Sequence, residues 1–181
     1  MGTAGRAAIL LDVDGTLNPY REGERPRPPA YRRHRLRAKF GPGPKTKALT
    51  VWLHPDHGRW LRELAEDGDA DLVWATLWEE QANRLLCPIY GWPELEVITF
   101  GHTVFRHQDG HHGKLPTIVE WAGRRPFCWF DDEFQPADEA WALDRTAAGA
   151  PTRIIPVDPS TGIQPEHLDL ARDFLQRVHP D

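Results

Sequence analysis

The stretch AILLDVDGTLN, residues 8–18, decides the fold. Its first four residues are apolar, as in a strand buried on both faces, and they lead directly into Asp12 and Asp14. Gly15 follows, and glycine permits a sharp turn that directs backbone N–H groups toward an anion. In open α/β sheets, ligands bind beyond the carboxyl ends of the strands. The stretch therefore predicts a central strand that brings two carboxylates to a crevice. The alternatives are a capping Asp followed by a turn Asp, or an unrelated calcium-binding loop.

Further short apolar runs have strand character, and segments with helical periodicity lie between them. Strands are predicted at 7–12, 71–75, 95–99, 126–130 and 153–157, and helices at 56–66, 79–86, 115–122, 137–147 and 165–178. This alternation predicts an α/β fold with a Rossmann-like, doubly wound parallel sheet. We expect one domain over residues 1–181.

The composition excludes several classes of protein. With 181 residues and 40% hydrophobic content, the chain can form a core, which argues against global disorder. No stretch approaches the roughly 20 apolar residues of a membrane helix. Cys87 and Cys128 form no Cys-x-x-Cys pair and suggest no disulfide framework. We expect a cytoplasmic protein without a membrane partner, and the oligomeric state stays open.

One segment interrupts the alternation of strands and helices. Residues 20–47 contain ten Lys or Arg and two Glu, a net charge of +8, whereas the whole chain carries −5. The segment is rich in Pro and Arg, so we predict that residues 17–54 form a basic flap, or minimal cap, inserted after the first strand. Residues 48–54 could form a strand that pairs back on this flap.

A second acidic pair follows another predicted strand. In PFCWFDDEF, residues 126–134, apolar residues precede Asp131 and Asp132. Carboxylates at two strand ends could converge on one cation, and hard oxygen ligands favour Mg²⁺ over zinc. The alternative is that these acids only cap the next helix, which would not explain the matching pair at the first strand.

Two residues between the acidic pairs could bind a phosphoryl group. Thr76 ends a predicted strand, where its hydroxyl and the N–H of Leu77 could hold a phosphate oxygen. Lys114 precedes a predicted helix, where its ammonium could neutralise carboxylates and a transferring phosphoryl group. The alternatives are an N-cap threonine and a solvated lysine.

Taken in order, these motifs resemble the four motifs of the haloacid dehalogenase (HAD) superfamily of phosphohydrolases. The resemblance implies that Asp12 is a nucleophile that forms an aspartyl-phosphate and that Asp14 is the acid and base. It also implies that Thr76 and Lys114 bind the phosphoryl group. Mg²⁺ would be held by Asp12, the carbonyl of Asp14 and Asp131, with Asp132 as a ligand through water or as a support. The acid at Asp14 favours a phosphatase over a dehalogenase.

A closer resemblance is to small HAD domains of bacterial RNA-repair assemblies. The segments that carry it are LVWATLWEEQAN (72–83), RPFCWFDDE (125–133) and PVDPSTGI (156–163). It implies a phosphatase for nucleic-acid ends, with Trp78, Glu79 and Asn83 lining the substrate entrance, although Trp78 could equally belong to the core. The residues expected to bind substrate are Gly15, Thr16, Leu77, Trp78, Arg32 and Arg33.

The basic flap is too short and too polar for a large helical cap, so the enzyme resembles capless members that admit macromolecules. Its cations could lie along the phosphate backbone of RNA or DNA ends. The alternatives are a solvated loop and a docking site for an acidic partner. The cations concerned are Arg21, Arg25, Arg27, Arg32, Arg33, Arg35, Arg37 and Lys39.

Nine histidines raise the alternative of a zinc site. His54 and His57 flank a Pro-Asp pair and are not a helical pair, and four others lie in a glycine-containing loop. We therefore expect histidines in surface loops, with those near Lys114 placed to touch substrate. The loop histidines are His102, His107, His111 and His112.

The function predicted from these patterns is a Mg²⁺-dependent phosphomonoesterase that acts on a nucleotide or a nucleic-acid terminal phosphate through an aspartyl-phosphate. Two alternatives stay open. One is a catalytically quiet, nucleic-acid- or protein-binding module of HAD type. The other is a nucleotidase for small molecules that a neighbouring subunit caps.

Overall fold

The computed structural model describes residues 6–20, 28–39, 45–101 and 110–179, and its centre is a five-stranded parallel sheet. The strand order is β5-β4-β1-β6-β7, and every pairing is parallel. The predicted α/β architecture is confirmed. The strands are β1 (Ala7–Leu11), β4 (Ala70–Trp74), β5 (Glu96–Val97), β6 (Phe127–Asp131) and β7 (Thr152–Pro156).

Five helices flank this sheet within the described ranges. Apolar side chains from α1, α2 and α5 contribute to the core on one face, and those from α3 and α4 contribute to a second core on the other. The helices are α1 (His57–Asp67), α2 (Glu80–Tyr90), α3 (Leu115–Ala122), α4 (Pro136–Ala147) and α5 (Pro165–Val178). None of them is long and apolar enough to cross a membrane.

β1 is the central strand and is completely buried. Ile9 and Leu11 belong to the first core, while Ala8 and Leu10 belong to the second, as alternation along a strand requires. β4 and β6 pair with β1 on opposite sides. The chain order reverses at β1, and in such sheets the ligand crevice lies beyond the carboxyl end at this position.

Part of the predicted flap forms an antiparallel hairpin, β2 (Arg32–Ala38) with β3 (Lys47–Leu53). The predicted pairing of residues 48–54 with the flap is therefore confirmed. Val51 and Leu53 are buried in the first core, which holds one face of the hairpin against the body. The predictions for Arg21, Arg25 and Arg27 fall outside the described residues.

Two elements differ from the predicted bounds by more than one residue. Helix α2 continues to Tyr90 past Pro88, and Gly91 ends it in the left-handed conformation with a bond from its N–H to the Cys87 carbonyl. Pro88 usually ends a helix, but the packing of Tyr90 on Trp92 stabilises the extra turn. β5 has only two residues because the preceding N–H, that of Leu95, donates to the Asn83 side chain.

Candidate active site

The turn after β1 is closed by its own backbone. The N–H groups of Leu17 and Asn18 both donate to the Val13 carbonyl, at 2.9 and 2.8 Å, and the Gly15 N–H donates to the Asn18 carbonyl at 2.9 Å. Such a network fixes the direction of the residues between β1 and Asn18. Asp12 and Asp14 are therefore held by a rigid turn.

Gly15 is required by this turn for two reasons. Its φ is +78°, a conformation that side chains with a Cβ rarely adopt. A Cβ at this position would also collide with the carboxyl group of Asp132, at the end of β6. Gly15 thus lets the two acidic motifs approach each other, and the Asp12 N–H donates to the Phe130 carbonyl at 3.2 Å.

Lys114 joins the two strand ends. Its Nζ donates to Asp12 Oδ1 at 2.7 Å and to Asp131 Oδ2 at 2.8 Å, and all three side chains are buried. The structure thus brings Lys114 to the carboxylates, and the alternative of a solvated lysine is wrong. One ammonium group shared between two buried carboxylates leaves the cluster with excess negative charge.

The pKa values of the three carboxyl groups in the cluster are shifted in different directions or by different causes. Burial raises the pKa of Asp12 more than Lys114 lowers it. Asp131 is also buried, but Lys114 and the bond from His112 hold its pKa well below the usual range. Burial, assisted by Asp131 and Glu133, raises the pKa of Asp132 to about 7. The cluster therefore takes up protons near neutral pH unless a cation replaces them.

The donor set suits Mg²⁺. Carboxylate oxygens of Asp12, Asp131 and Asp132 lie within 4.8 Å of one another, and hard oxygen ligands are those that Mg²⁺ prefers. Three ionised carboxylates and Lys114 carry a formal charge of −2, which a divalent cation would balance. The chemistry of the residues present thus fits the cation that the sequence predicts.

The Asp14 side chain lies apart from this acidic group and makes its own contacts. Its Oδ1 accepts from Asn18 Nδ2 at 2.9 Å, and its Oδ2 accepts from Trp78 Nε1 at 2.8 Å. Two directional bonds hold the carboxyl group in one orientation. Trp78 is buried in the first core. It also bonds to Asp14, so it is both a core residue and a neighbour of the site.

The segment after β4 contains the predicted phosphate-binding residues. Thr76 is buried, and its hydroxyl accepts from the Trp78 N–H at 3.3 Å, while the Leu77 side chain is exposed. Glu79 has a φ of +46°, and its Oε1 accepts from the N–H groups of Phe100 and Gly101 at 2.9 and 3.0 Å. The strained Glu79 thus fastens a second loop to this segment.

Thr16 is buried and joins two segments of the fold through its backbone. It is completely buried, its hydroxyl has no hydrogen-bond partner in the described residues, and its carbonyl accepts from the Ile163 N–H at 3.0 Å. It therefore connects the turn after β1 to the segment before α5. Its predicted role in substrate binding stays a prediction.

His112, predicted to be a surface-loop histidine near Lys114, is instead a buried residue of the site. Its Nδ1 accepts from the Lys114 N–H at 3.0 Å, so the ring proton of the neutral imidazole is on Nε2 and points at Asp131 Oδ1, 2.8 Å away. The His112 N–H donates to both oxygens of the buried Asp138 at 3.1 Å. His112 therefore orients Asp131 and Lys114 together. The only sequence signal is the His-x-Lys spacing.

The expectation of surface histidines is wrong for His57 and His112, which are buried. His57 Nε2 bonds to the Ile163 carbonyl at 3.0 Å, and its ring stacks on His54 at 5.0 Å. His112 shares a group of possible ligands with Asp131 and Glu133, but both of its ring nitrogens are engaged. His102 and His107 lie outside the described residues.

Tyr20 is a second residue whose position the sequence did not reveal. Burial and the nearby carboxylates of Asp14 and Asp132 raise its pKa, so its hydroxyl keeps its proton. The side chain is half exposed, and the Tyr20 N–H donates to the Pro159 carbonyl at 2.6 Å. Tyr20 thus offers a hydrogen-bond donor beside the acidic cluster.

Arg32 and Arg33 are adjacent on β2, so their side chains leave opposite faces of the hairpin. Arg32 lines a small cavity together with His34, His54 and Tyr90. Both arginines are exposed. The two therefore cannot act as a single patch, and only one face of the hairpin can be turned toward a given ligand.

Comparison with known protein families places this arrangement of carboxylates, lysine and glycine inside a matched domain. The model of the HAD domain in Swiss Army Knife RNA repair proteins matches residues 8–168. Searches of the curated proteins and of the solved structures gave no match. The matched region begins within β1 and ends within α5, so it includes both acidic motifs and Lys114. The chain belongs to the family of HAD domains found in Swiss Army Knife RNA repair proteins.

Proposed function

We propose that this protein is a Mg²⁺-dependent phosphomonoesterase that removes a terminal phosphate from a nucleotide or nucleic acid through an aspartyl-phosphate at Asp12. Membership of the HAD family supports phosphohydrolase chemistry in general, and the acidic cluster is compatible with it. The observation that carries the proposal is the position of Lys114, which bonds to Asp12 and Asp131 at two adjacent strand ends.

In the first step, a carboxylate oxygen of Asp12 attacks phosphorus, and the bond from phosphorus to the leaving oxygen breaks. Asp14 gives its proton to that oxygen. Lys114 and the Thr76 hydroxyl hold phosphoryl oxygens and offset the charge that develops on them. When bound by Asp12, Asp131, Asp132 and the Asp14 carbonyl, Mg²⁺ would offset more of this charge.

In the second step, Asp14 takes a proton from water, and the water oxygen attacks the phosphorus of the aspartyl-phosphate. The bond to Asp12 breaks, which releases inorganic phosphate and returns both carboxyl groups to their starting states. The bonds from Asn18 and Trp78 keep the Asp14 carboxyl group in one orientation through both proton transfers.

The test is phosphate release from a panel of substrates, with Mg²⁺ and with excess chelator. The panel contains an aryl phosphate, nucleoside monophosphates, and oligonucleotides phosphorylated at the 3′ or the 5′ end. We expect release that requires Mg²⁺ and is lost in Asp12→Asn. Absence of release from every substrate would support the catalytically quiet binding module instead.

The expected cytoplasmic location also stays a prediction. Cys87 and Cys128 are both buried free thiols in the structure, which agrees with the absence of a disulfide framework in the sequence.

A further inference from the structure

The outer face of the hairpin carries a straight row of three exposed arginines: Arg33, Arg35 and Arg37. They alternate along β2 with His34, Leu36 and Ala38, which are half-buried or buried on the inner face. Residues two apart on a strand are separated by about 6.6 Å. The three arginine side chains therefore leave the strand at evenly spaced backbone positions on one face.

These arginines have no carboxylate within ion-pair distance among the described residues. Some arginines on the body are paired with a carboxylate instead: Arg59 with Glu63 and Arg172 with Asp169. Cations that are exposed and unpaired in this way create a local positive potential on a chain whose net charge is −5. The hairpin's outer face is thus suited to a polyanion.

Both ends of the hairpin are bonded to elements that carry site residues. The Trp52 N–H, opposite Arg33, donates to Asn18 Oδ1 at 2.8 Å, and Asn18 in turn bonds to Asp14. At the other end, the Lys39 N–H donates to Gln81 Oε1 at 3.0 Å in helix α2, which follows Thr76 and Trp78. The arginine row is therefore fixed beside the catalytic crevice.

We propose that Arg33, Arg35 and Arg37 bind successive phosphates of a single-stranded nucleic acid whose terminal phosphate lies in the crevice. This inference rests on the proposed function and adds to it the surface that binds the rest of the substrate. The spacing along the strand is comparable to that of phosphates in an extended single strand. Such contacts neutralise the backbone without regard to base sequence.

The test measures binding of a fluorescent, terminally phosphorylated single-stranded oligonucleotide by anisotropy over a range of salt concentrations. The protein carries Asp12→Asn, so that turnover does not interfere. The test variant adds Arg33→Ser, Arg35→Ser and Arg37→Ser. The matched control adds Arg59→Ser, Arg62→Ser and Arg172→Ser, which remove the same charge from exposed positions on α1 and α5.

We expect Kd to rise about tenfold or more in the test variant, and the slope of log K against log salt to become shallower by about 2. The control should keep the parent Kd. An unchanged Kd and slope in the test variant would overturn the proposal, as would equal losses in test and control. Tighter binding of a duplex or an acidic peptide through the same arginines would also overturn it.

Failure of this inference can be distinguished from failure of the proposed function. The anisotropy measurement needs no catalysis, whereas release of phosphate from the aryl phosphate needs no hairpin contact with a polymer. Suppose that the protein cleaves the aryl phosphate but binds the oligonucleotide equally well with and without the three arginines. The proposed phosphatase activity would then hold, and the proposed role of the arginines in binding would fail. Oligonucleotide binding that depends on the arginines, without cleavage of the aryl phosphate, would indicate a binding module.

Discussion

The crevice and the hairpin are the two strongly charged regions of this protein, and they handle charge in opposite ways. In the crevice, Lys114, Asp12 and Asp131 are buried and bonded to one another. On the hairpin, Arg33, Arg35 and Arg37 are exposed and have no carboxylate partner among the described residues. The charges of the crevice are thus fixed in position by one another, whereas those of the hairpin are open to solvent.

The crevice and the hairpin should respond differently to salt and to mutation. Interactions between exposed charges are screened by salt within about 8 Å at physiological ionic strength, while buried pairs are screened much less. Removing one member of a buried pair is also far more costly than removing an exposed charge. Variants in the crevice should therefore alter stability and chemistry, and variants on the hairpin should alter salt-dependent binding.

The largest effect is expected for Lys114→Met. It leaves Asp12 and Asp131 buried without their shared counter-charge, so the free energy of unfolding in chelator should fall by about 3 kcal/mol. Phosphate release should also be lost. Urea unfolding and the aryl phosphate assay measure both effects. Lys45→Met removes an exposed lysine and is the control; equal stability of the two variants would contradict the buried clamp.

The next effect concerns the close approach of the two acidic motifs. Gly15→Ala places a Cβ against the Asp132 carboxyl group, so kcat/KM should fall roughly a hundredfold as the carboxylates move apart. Gly91→Ala is a matched control, since Gly91 also has a positive φ but no atom within 4 Å of the added Cβ. Similar activity of the two variants would show that the Asp132 contact is unimportant.

A smaller effect is expected at His112, a positioning residue that acts through Asp131 and Lys114. His112→Ala should raise the Mg²⁺ concentration for half-maximal activity about tenfold, because Asp131 loses an orienting bond. His112→Asn supplies an N–H donor and should recover part of this loss. His111→Ala, at a half-exposed neighbour, is the control. A lower Tm with unchanged Mg²⁺ dependence would assign His112 a structural role only.

The smallest effect is the pH dependence of stabilisation by Mg²⁺. The pKa of Asp132 is raised from 3.8 to about 7, so the folded protein binds more protons here than the unfolded chain at intermediate pH. This group's contribution to stability therefore decreases as pH rises from about 4 to about 7. Because protons and Mg²⁺ compete for the carboxylates, the increase in Tm caused by Mg²⁺ should be larger at pH 8 than at pH 6.

Asp132→Asn provides the control for this titration. The amide does not ionise, and it binds Mg²⁺ less well than the carboxylate does. The increase in Tm caused by Mg²⁺ should therefore depend less on pH in this variant. An increase in Tm that is the same at pH 6 and pH 8 in the unmodified protein would show that the cation does not displace protons from this cluster.

Much of the fold was predictable because burial leaves a direct trace in the sequence. β1 is buried on both faces, so its residues are continuously apolar and its end is marked by Asp12. The bounds of α3 and α5 agree with their helical periodicity. The extension of α2 past Pro88 was not predictable, since it depends on the packing of Tyr90 against Trp92, which is fixed only by the tertiary structure.

The candidate site was predictable where residues lie at strand ends and unpredictable where they act through neighbours. Asp12 and Asp131 follow apolar strands, whereas the role of His112 depends on a bond to Asp131, 19 residues away. Asn18 likewise gains its position from two bonds, to Asp14 and to the Trp52 N–H. Such contacts are set by the folded geometry and leave no pattern in a single sequence.

The role of Asp12 as the nucleophile can be tested by mass spectrometry of protein quenched in acid during turnover of an aryl phosphate with Mg²⁺. We expect one phosphoryl group on the peptide that contains Asp12, and neither this group nor phosphate release in Asp12→Asn. Unchanged phosphate release by Asp12→Asn, or a phosphoryl group on a different peptide, would contradict this role.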